Sequence, residues 1–234
     1  MCWRKLARFL MPISSHTPRT RVYIDGFNFY YSAYDRAGLA QYKWLNLVEM
    51  CRAALPHNDI NLVRYFTAKV GATPTDPGQP QRQEAYLQAL RSLGPSITLD
   101  DHFGQFVTNE KYLRFVKPPS AGKKRARVYV NEEKGSDVNL ASYLLLDAFQ
   151  DAYDVAVVIS NDSDLLVPVG MVKRDLRKVV GVLRVDKDPR PCVFAGIADF
   201  IRPLREAHFA NNQFPDPVVD SRGRQIKKPP EWET

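Results

Sequence analysis

Residues 155–164 read VAVVISNDSD, five apolar residues followed by a polar cluster. The apolar part is mostly β-branched, which is typical of a strand buried on both faces. Leu165 starts a new apolar run, and Asp162 or Ser163 can cap the helix that this run predicts. Asp162 and Asp164 at the carboxyl end of a buried strand favour a ligand site, because open α/β sheets bind ligands there. An ordinary helix N-terminus is the alternative for this segment alone.

Two further strand ends carry an aspartate. The strand predicted at 22–24 closes at Asp25, and Asn28 is placed to cap the helix that follows. Another predicted strand, 127–130, precedes Asp137 in the first turn of an amphipathic helix that runs through Gln150. The carboxyl ends of parallel strands lie at one edge of a sheet, so neighbouring strands would bring these aspartates together. The set consists of Asp25, Asp137, Asp162 and Asp164.

Clustered carboxylates have a physical cost that restricts what the cluster can be. Two carboxylates about 5 Å apart repel by roughly 3 kcal/mol at an effective dielectric near 20. Such groups either share protons, with raised pKa values, or bind hard cations. Oxygen ligands suit Mg²⁺ or Mn²⁺, and the scattered histidines and cysteines argue against zinc.

The remaining pattern alternates strands and helices. We predict strands at 61–70, 96–107, 112–116 and 179–185, with a hairpin within 96–116 as an option, and helices at 44–55, 82–93, 165–176 and 195–202. This order favours an α/β domain with a mainly parallel central sheet. We divide the chain into a basic leader (1–20), one domain (21–205) and a proline-rich basic tail (206–234). Beyond Asn211 apolar residues are few, so we expect a tail, flexible or wrapped over the domain, that folding does not need.

The amino-acid composition indicates which class of binding partner and which cellular compartment to expect. The 234-residue chain has a formal charge of +7 and a pI near 9.3, which favours a polyanionic partner, although basic surface also serves solubility. Its three cysteines lack paired spacing, so we expect reduced thiols and a cytoplasmic protein. No segment is long and apolar enough for a membrane span. The first 24 residues contain no aspartate or glutamate, and we expect them to be a poorly folding leader or, alternatively, a transit peptide.

Three motifs carry a family resemblance: DGFNF at 25–29, EKGSD at 133–137 and SNDSDL at 160–165. In this order they resemble the signatures of the NYN domain family, which is related to PIN-domain and flap-nuclease-like ribonucleases. The resemblance implies a PIN-like three-layer α/β/α fold and RNA cleavage that depends on magnesium or manganese. It implies that the metal ligands and catalytic residues are Asp25, Asp137, Asp162 and Asp164. Asn161 and Leu165 depart from the family, where glycine and phenylalanine are common.

The sequence therefore predicts a metal-dependent endoribonuclease that hydrolyses phosphodiester bonds of RNA. Single-stranded RNA is the expected substrate, because no element obviously spans a duplex. The expected substrate contacts are Asn28, Ser160, Lys134 and the loop run Lys123, Lys124 and Arg125. Tyr30, Tyr31 and Tyr34 could stack on bases or belong to the core. The alternative function is a non-catalytic RNA-binding or scaffolding domain; a homo-oligomer or a protein partner is left open.

Overall fold

The computed structural model describes residues 17–73, 76–99, 105–117 and 124–233, and within these it does not describe the side chains of 105–109 and 129–134. Its strands are β1 Arg19–Asp25, β2 Asp59–Phe66, β3 Ile97–Leu99, β4 Gln105–Arg114, β5 Arg125–Lys134, β6 Val155–Ile159, β7 Val179–Val185, β8 Phe200–Leu204, β9 Val218–Val219 and β10 Gln225–Ile226. Its α-helices are α1 Gly26–Tyr30, α2 Leu47–Ala54, α3 Gln79–Arg91, α4 Ser136–Phe149, α5 Leu166–Arg174 and α6 Glu206–Ala210.

Within the described part of the chain, the centre is a six-stranded sheet in the order β3-β2-β1-β6-β7-β8. Every neighbouring pair in it is parallel. The strand order runs outward in opposite directions from β1 and β6, so the gap between these two strands is the topological switch point. The predicted α/β fold with a parallel central sheet is confirmed.

The burial of β6 explains its continuous apolar sequence. Val155, Val157 and Ile159 pack on the face covered by α2 and α3. Ala156 and Val158 pack on the opposite face, which α4 and α5 cover. Both faces of the strand are therefore dry, and helices on both sides of the sheet give the three layers.

Strand β1 begins before the predicted domain boundary at residue 21. Arg19 already pairs with Asp59 of β2. Its guanidinium binds the carboxylate of Asp154, with Nη2 2.8 Å from Oδ1, and its backbone N–H donates to the same side chain. This ion pair fixes the chain in front of the apolar residues that signalled the strand.

The middle of the chain differs from the prediction. Strand β3 joins the main sheet beside β2, whereas β4 pairs antiparallel with β5, from Gln105 opposite Lys134 to Arg114 opposite Arg125. Among the described residues, β3 and β4 therefore do not form the hairpin that the sequence left as an option within 96–116. In the sequence, the polar residues 108–111 resemble a turn between two strands. They can lie within β4 because a two-stranded ribbon outside the main sheet needs no buried face.

The predicted helix at 195–202 is also wrong, because Phe200–Leu204 forms β8 at the edge of the sheet. Pro203 has no N–H to donate, which an edge strand tolerates. The ring of Phe200 covers Gly181 of β7, where a Cβ atom would lie 2.1 Å from that ring. Glycine at this position lets the aromatic edge residue pack.

Residues 206–233 wrap over the α2–α3 face, one of the two arrangements expected for the tail. Phe214, Val218 and Ile226 are buried in the main core although the segment contains few apolar residues. The indole Nε1 of Trp44 donates to the carbonyl of Pro215 at 3.1 Å. Among the described helices, none combines the length and apolar character that a bilayer crossing requires.

Candidate metal centre

Asp25 lies at the carboxyl end of β1 and is 4% exposed. Its Oδ1 accepts from the backbone N–H of Asn28 at 3.0 Å, so Asp25 caps α1 and Asn28 is not the cap that the sequence predicted. Its Oδ2 accepts from the hydroxyl of Ser160 at 2.8 Å. These two bonds fix the carboxylate at the switch point.

Asp162 lies in the turn after β6, beside β1. Its Oδ1 accepts from the backbone N–H of Asp164 at 2.9 Å, so it caps the short helical turn Ser163–Leu165 in the way the sequence suggested. Its backbone N–H donates to the Ser160 hydroxyl oxygen at 3.1 Å. Ser160 therefore contacts both aspartate-bearing turns.

Asp137 reaches the same edge from the first turn of α4. The helix begins after Gly135, whose φ of 107° is unfavourable for residues with a Cβ atom. Among the described residues, Asp25, Asp137 and Asp162 each place a carboxylate oxygen within 4.8 Å of the other two. The topology thus brings three of the four predicted ligands together.

Asp164, the fourth predicted ligand, is exposed and is not in this three-carboxylate group of the described chain. It occupies the turn that Asp162 caps. The sequence spacing placed both aspartates at the strand end, but it did not indicate which way the turn would carry the second side chain.

Asn28 and Asn161 connect the site to the loop after β7. Asn28 Oδ1 accepts from the backbone N–H of Asn161 at 3.1 Å and from Arg190 Nη2 at 3.4 Å. The Asn161 side chain accepts from the N–H of Val193 and donates to the carbonyl of Pro191, both at 2.9 Å. The asparagine that departs from the family pattern thus anchors a neighbouring loop.

Two arginines lie beside the aspartates, and the sequence analysis missed both. Arg36 and Arg190 line, with the three aspartates, an open depression that we call the acidic cleft. Both bind Asp188, which is buried: Arg190 Nη2 is 2.9 Å from its Oδ2 and Arg36 Nε is 3.4 Å away. Burial alone would raise the pKa of Asp188, but hydrogen bonds from Arg190 and Ser32 lower it well below the usual range. The usable signal was DKDPR at 186–190, directly after a predicted strand.

The other predicted substrate residues fall into separate groups. The Ser160 hydroxyl is buried and bonded within the protein. Lys124 and Arg125 are exposed at the far end of the β4–β5 ribbon. Lys123 lies outside the described residues, as does the side chain of Lys134.

The donor set fits a hard divalent cation. It offers carboxylate oxygens alone, the ligand type that Mg²⁺ and Mn²⁺ prefer. Two carboxylates at 4.8 Å repel by about 3 kcal/mol at an effective dielectric of 20, and a cation between them relieves that repulsion.

Comparisons with known proteins bear on this site. A family model described as the NYN domain matches residues 19–204. The chain is 30% identical, over 194 residues, to 6-hydroxy-3-succinoylpyridine 3-monooxygenase HspA of Pseudomonas putida, covering 73% of this chain and 61% of that protein, so the chain spans about three fifths of that relative. A crystal structure of a protein of unknown function from Vibrio parahaemolyticus superposes with a TM-score of 0.48 at 16% identity, over 80% of this chain and 93% of that one.

Proposed function

The chain belongs to the NYN domain family, and from that membership we propose that it is a metal-dependent endoribonuclease that hydrolyses phosphodiester bonds of RNA. The observation that carries the proposal is the group of three carboxylates within 4.8 Å of one another at the switch point of the sheet. A family of nucleases supplies the reaction class, and the three aspartates supply the centre that such a reaction needs.

Asp25, Asp137 and Asp162 would hold the cation, which we propose to be Mg²⁺ or Mn²⁺. When bound there, a divalent cation supplies Lewis-acid chemistry, polarising the scissile phosphate and lowering the pKa of a nearby water. Ser160 then has a positioning role, since its hydroxyl orients Asp25 and its oxygen holds the turn of Asp162. Asp164 is exposed in the short helical turn that Asp162 caps, and we propose that it orients water at the edge of the centre.

The acidic cleft also offers positive charge. Arg36 and Arg190 line it, with side chains 30% and 36% exposed, so their remaining N–H groups can reach a ligand. Guanidinium groups bind phosphate oxygens in bidentate fashion. We propose that this pair binds the phosphate next to the scissile one, while Asn28 holds Arg190 in place.

The β4–β5 ribbon supplies a second contact with RNA. Strand β5 ends at Lys134, three residues before Asp137, so one end of the ribbon adjoins the metal centre and the other carries Lys124 and Arg125. We propose that Lys123, Lys124, Arg125 and Lys134 bind backbone phosphates of single-stranded RNA. We also propose a cytoplasmic location, because the spacing of the three cysteines in the sequence favours reduced thiols.

A cleavage assay tests this function. Purified protein is incubated with a single-stranded RNA in Mg²⁺, in Mn²⁺ and in EDTA, beside a DNA of the same sequence and a matched RNA duplex. We expect internal cleavage of the single-stranded RNA that EDTA abolishes. RNA binding without cleavage in either metal would favour the non-catalytic RNA-binding domain instead.

A second candidate function follows from the relative named as a 6-hydroxy-3-succinoylpyridine 3-monooxygenase. Two observations favour it. One is the 30% identity to that relative, and the other is the pair of exposed rings, Tyr30 and Tyr31, beside the acidic cleft, which could hold a small heteroaromatic acid. A monooxygenase consumes O₂ and two electrons, so the test supplies a pyridine acid, air and a two-electron donor. Ring hydroxylation in that mixture, with no RNA cleavage, would select this function.

A further inference from the structure

Beside the acidic cleft lies a pocket lined by aromatic side chains, which we call the aromatic pocket. Its rings include those of Tyr30, Tyr31, Tyr34, Tyr65, Tyr86 and Trp232. Phe27 and Tyr31 line both the aromatic pocket and the acidic cleft, so the two are contiguous. The pocket has a volume of about 170 Å³, close to that of an apolar protein cavity of about 150 Å³ that binds benzene.

The inner wall of the pocket is held in place before any ligand binds. Tyr34 and Tyr65 are 8% and 9% exposed. The Tyr86 hydroxyl donates to the carbonyl of Leu45 at 2.8 Å. The Tyr65 ring packs directly against the backbone of Gly26, where a Cβ atom would lie 2.9 Å from that ring.

The outer wall presents free aromatic surface. Tyr30 and Tyr31 are 36% and 48% exposed and meet edge to face at 5.8 Å. Lys43 Nζ lies 5.3 Å from the centre of the Tyr30 ring and makes no ion pair with any residue that the structure describes. The mouth of the pocket thus combines stacking surface with a cation.

The last wall comes from the C-terminal segment. Trp232 packs against Tyr86 and Trp44, with ring centres 6.1 and 6.3 Å apart. Arg82 holds this segment, since its Nη1 lies 3.2 Å from Oε1 of Glu231 while its Nη2 binds Asp76. The wrapped segment therefore completes a pocket and does more than cover the core.

We propose that the aromatic pocket binds a planar heteroaromatic ring that carries an anionic group, and that this ring is the base of the nucleotide adjoining the phosphate cleaved at the metal centre. The assignment rests on the proposed function. Aromatic rings stack on bases regardless of sequence, and Lys43 at the mouth matches the negative charge of a nucleotide. The shared wall of Phe27 and Tyr31 links the base to the acidic cleft.

Equilibrium binding in EDTA tests the pocket separately from cleavage. The full chain is titrated with AMP, UMP, pyridine-3-carboxylate and ribose 5-phosphate, which has the charge without the ring. We expect saturable binding of both nucleotides and none of ribose 5-phosphate. Tyr31→Ala should weaken nucleotide binding at least about fivefold, as loss of one stacking partner does, and Lys43→Ala should weaken it as well. Phe149→Ala removes an exposed ring elsewhere and should have no effect.

The outcomes separate the two proposals. Equal affinity of Tyr31→Ala and wild type for AMP, with circular dichroism unchanged, overturns the pocket assignment even if the wild type cleaves RNA. Binding of pyridine-3-carboxylate but of neither nucleotide overturns the nucleobase and assigns the pocket to a free heteroaromatic acid. Nucleotide binding that Tyr31→Ala weakens, in a protein that never cleaves RNA, supports the ring site while the nuclease function fails.

Discussion

The hydroxyl of Ser160 donates a 2.8 Å hydrogen bond to Oδ2 of Asp25, joining the ends of β6 and β1. The same oxygen accepts from the backbone N–H of Asp162 at 3.1 Å. One buried side chain therefore positions two of the three clustered carboxylates. Groups that orient metal ligands in this way contribute to affinity without touching the metal.

Ser160→Ala tests that role. We expect manganese affinity to fall roughly 10- to 100-fold, because Asp25 loses the donor that orients it. Isothermal titration with MnCl₂ measures the change. Ser163→Ala, an exposed serine three residues later, is the matched control and should bind as the wild type does. Equal affinity of all three proteins would mean that Asp25 needs no help from Ser160.

The C-terminal segment gives a stability prediction that reverses the expectation from sequence. Phe214, Val218 and Ile226 are 6%, 5% and 8% exposed within the main core. We now expect truncation after Asn211 to destabilise the fold strongly. Phe214→Ala alone should lower the free energy of unfolding by about 3–5 kcal/mol, measured by urea denaturation. Val219→Ala, at an exposed neighbouring site, is the control. If the truncated chain unfolded at the same urea midpoint as the wild type, the prediction from sequence that folding does not need the tail would hold.

These cases indicate what the sequence could and could not predict. The continuous apolar run of β6 and the aspartates after strands predicted the sheet and its acidic edge, because burial and strand direction leave a local pattern. Phe214, Val218 and Ile226 are too widely spaced in the sequence to show a periodicity, yet each fills a place in the core. Pro203 was interpreted as the end of a helix. Its position in an edge strand follows from the order of strands in the sheet, which no local sequence pattern shows. Arg190 was missed for the same reason, since its partners Asn28 and Ser32 lie 162 and 158 residues away.

Asp147 predicts an acid-dependent loss of stability. This carboxylate is 2% exposed and accepts from Tyr23, Arg64 and Arg21. Burial alone would raise its pKa, but those hydrogen bonds lower the pKa below the ordinary value. The contribution of this carboxylate to the free energy of unfolding is therefore fully present above the pKa of the unfolded chain, near 3.9. It is lost as pH falls through the lower pKa of the folded state.

Asp147→Asn should lower the free energy of unfolding at pH 7 by about 3–5 kcal/mol, because it leaves two largely buried guanidinium groups without their charge partner. The difference from wild type should shrink below about pH 4. Urea denaturation at pH 7, 5 and 3.5 measures both. Asp151→Asn removes the ion pairs of an exposed carboxylate with Arg19 and Lys178 and should change the free energy of unfolding much less. A mutant deficit independent of pH would show that packing, and not charge, accounts for it.

The β4–β5 ribbon predicts how RNA binding responds to salt. Replacing Lys123, Lys124 and Arg125 with alanine should weaken binding across RNA sequences and reduce the salt slope by roughly one unit per lost phosphate contact. Fluorescence anisotropy at several KCl concentrations, in EDTA, gives the slope. Replacing Arg222, Lys227 and Lys228 removes the same charge from the C-terminal segment and should leave the slope nearer to wild type. Equal slopes for the two triple variants would leave the loop as solvated surface.

Asp162→Asn and Asp164→Asn form a matched pair that tests the metal centre. The carboxylate of Asp162 belongs to the three-member group, whereas that of Asp164 lies outside it in the described structure. Asparagine keeps an oxygen that can accept from the N–H of residue 164, so Asp162→Asn preserves the cap. The fold should therefore survive, and without metal it should match or exceed wild-type stability because one repelling charge is gone.

With manganese the pair should separate. A ligand that binds only the native state raises its stability, so MnCl₂ should raise the thermal midpoint of the wild type and of Asp164→Asn. Asp162→Asn should show little of that rise, and its RNA cleavage should fall by orders of magnitude. We expect Asp164→Asn to lose cleavage more than metal binding, since we assign it to orienting water. Equal loss of the manganese effect in both variants would restore the four-ligand site that the sequence predicted. Normal cleavage by Asp162→Asn would reject the three-aspartate metal centre. A wild type that binds RNA but neither responds to metal nor cleaves would reject the nuclease in favour of a scaffold that binds RNA.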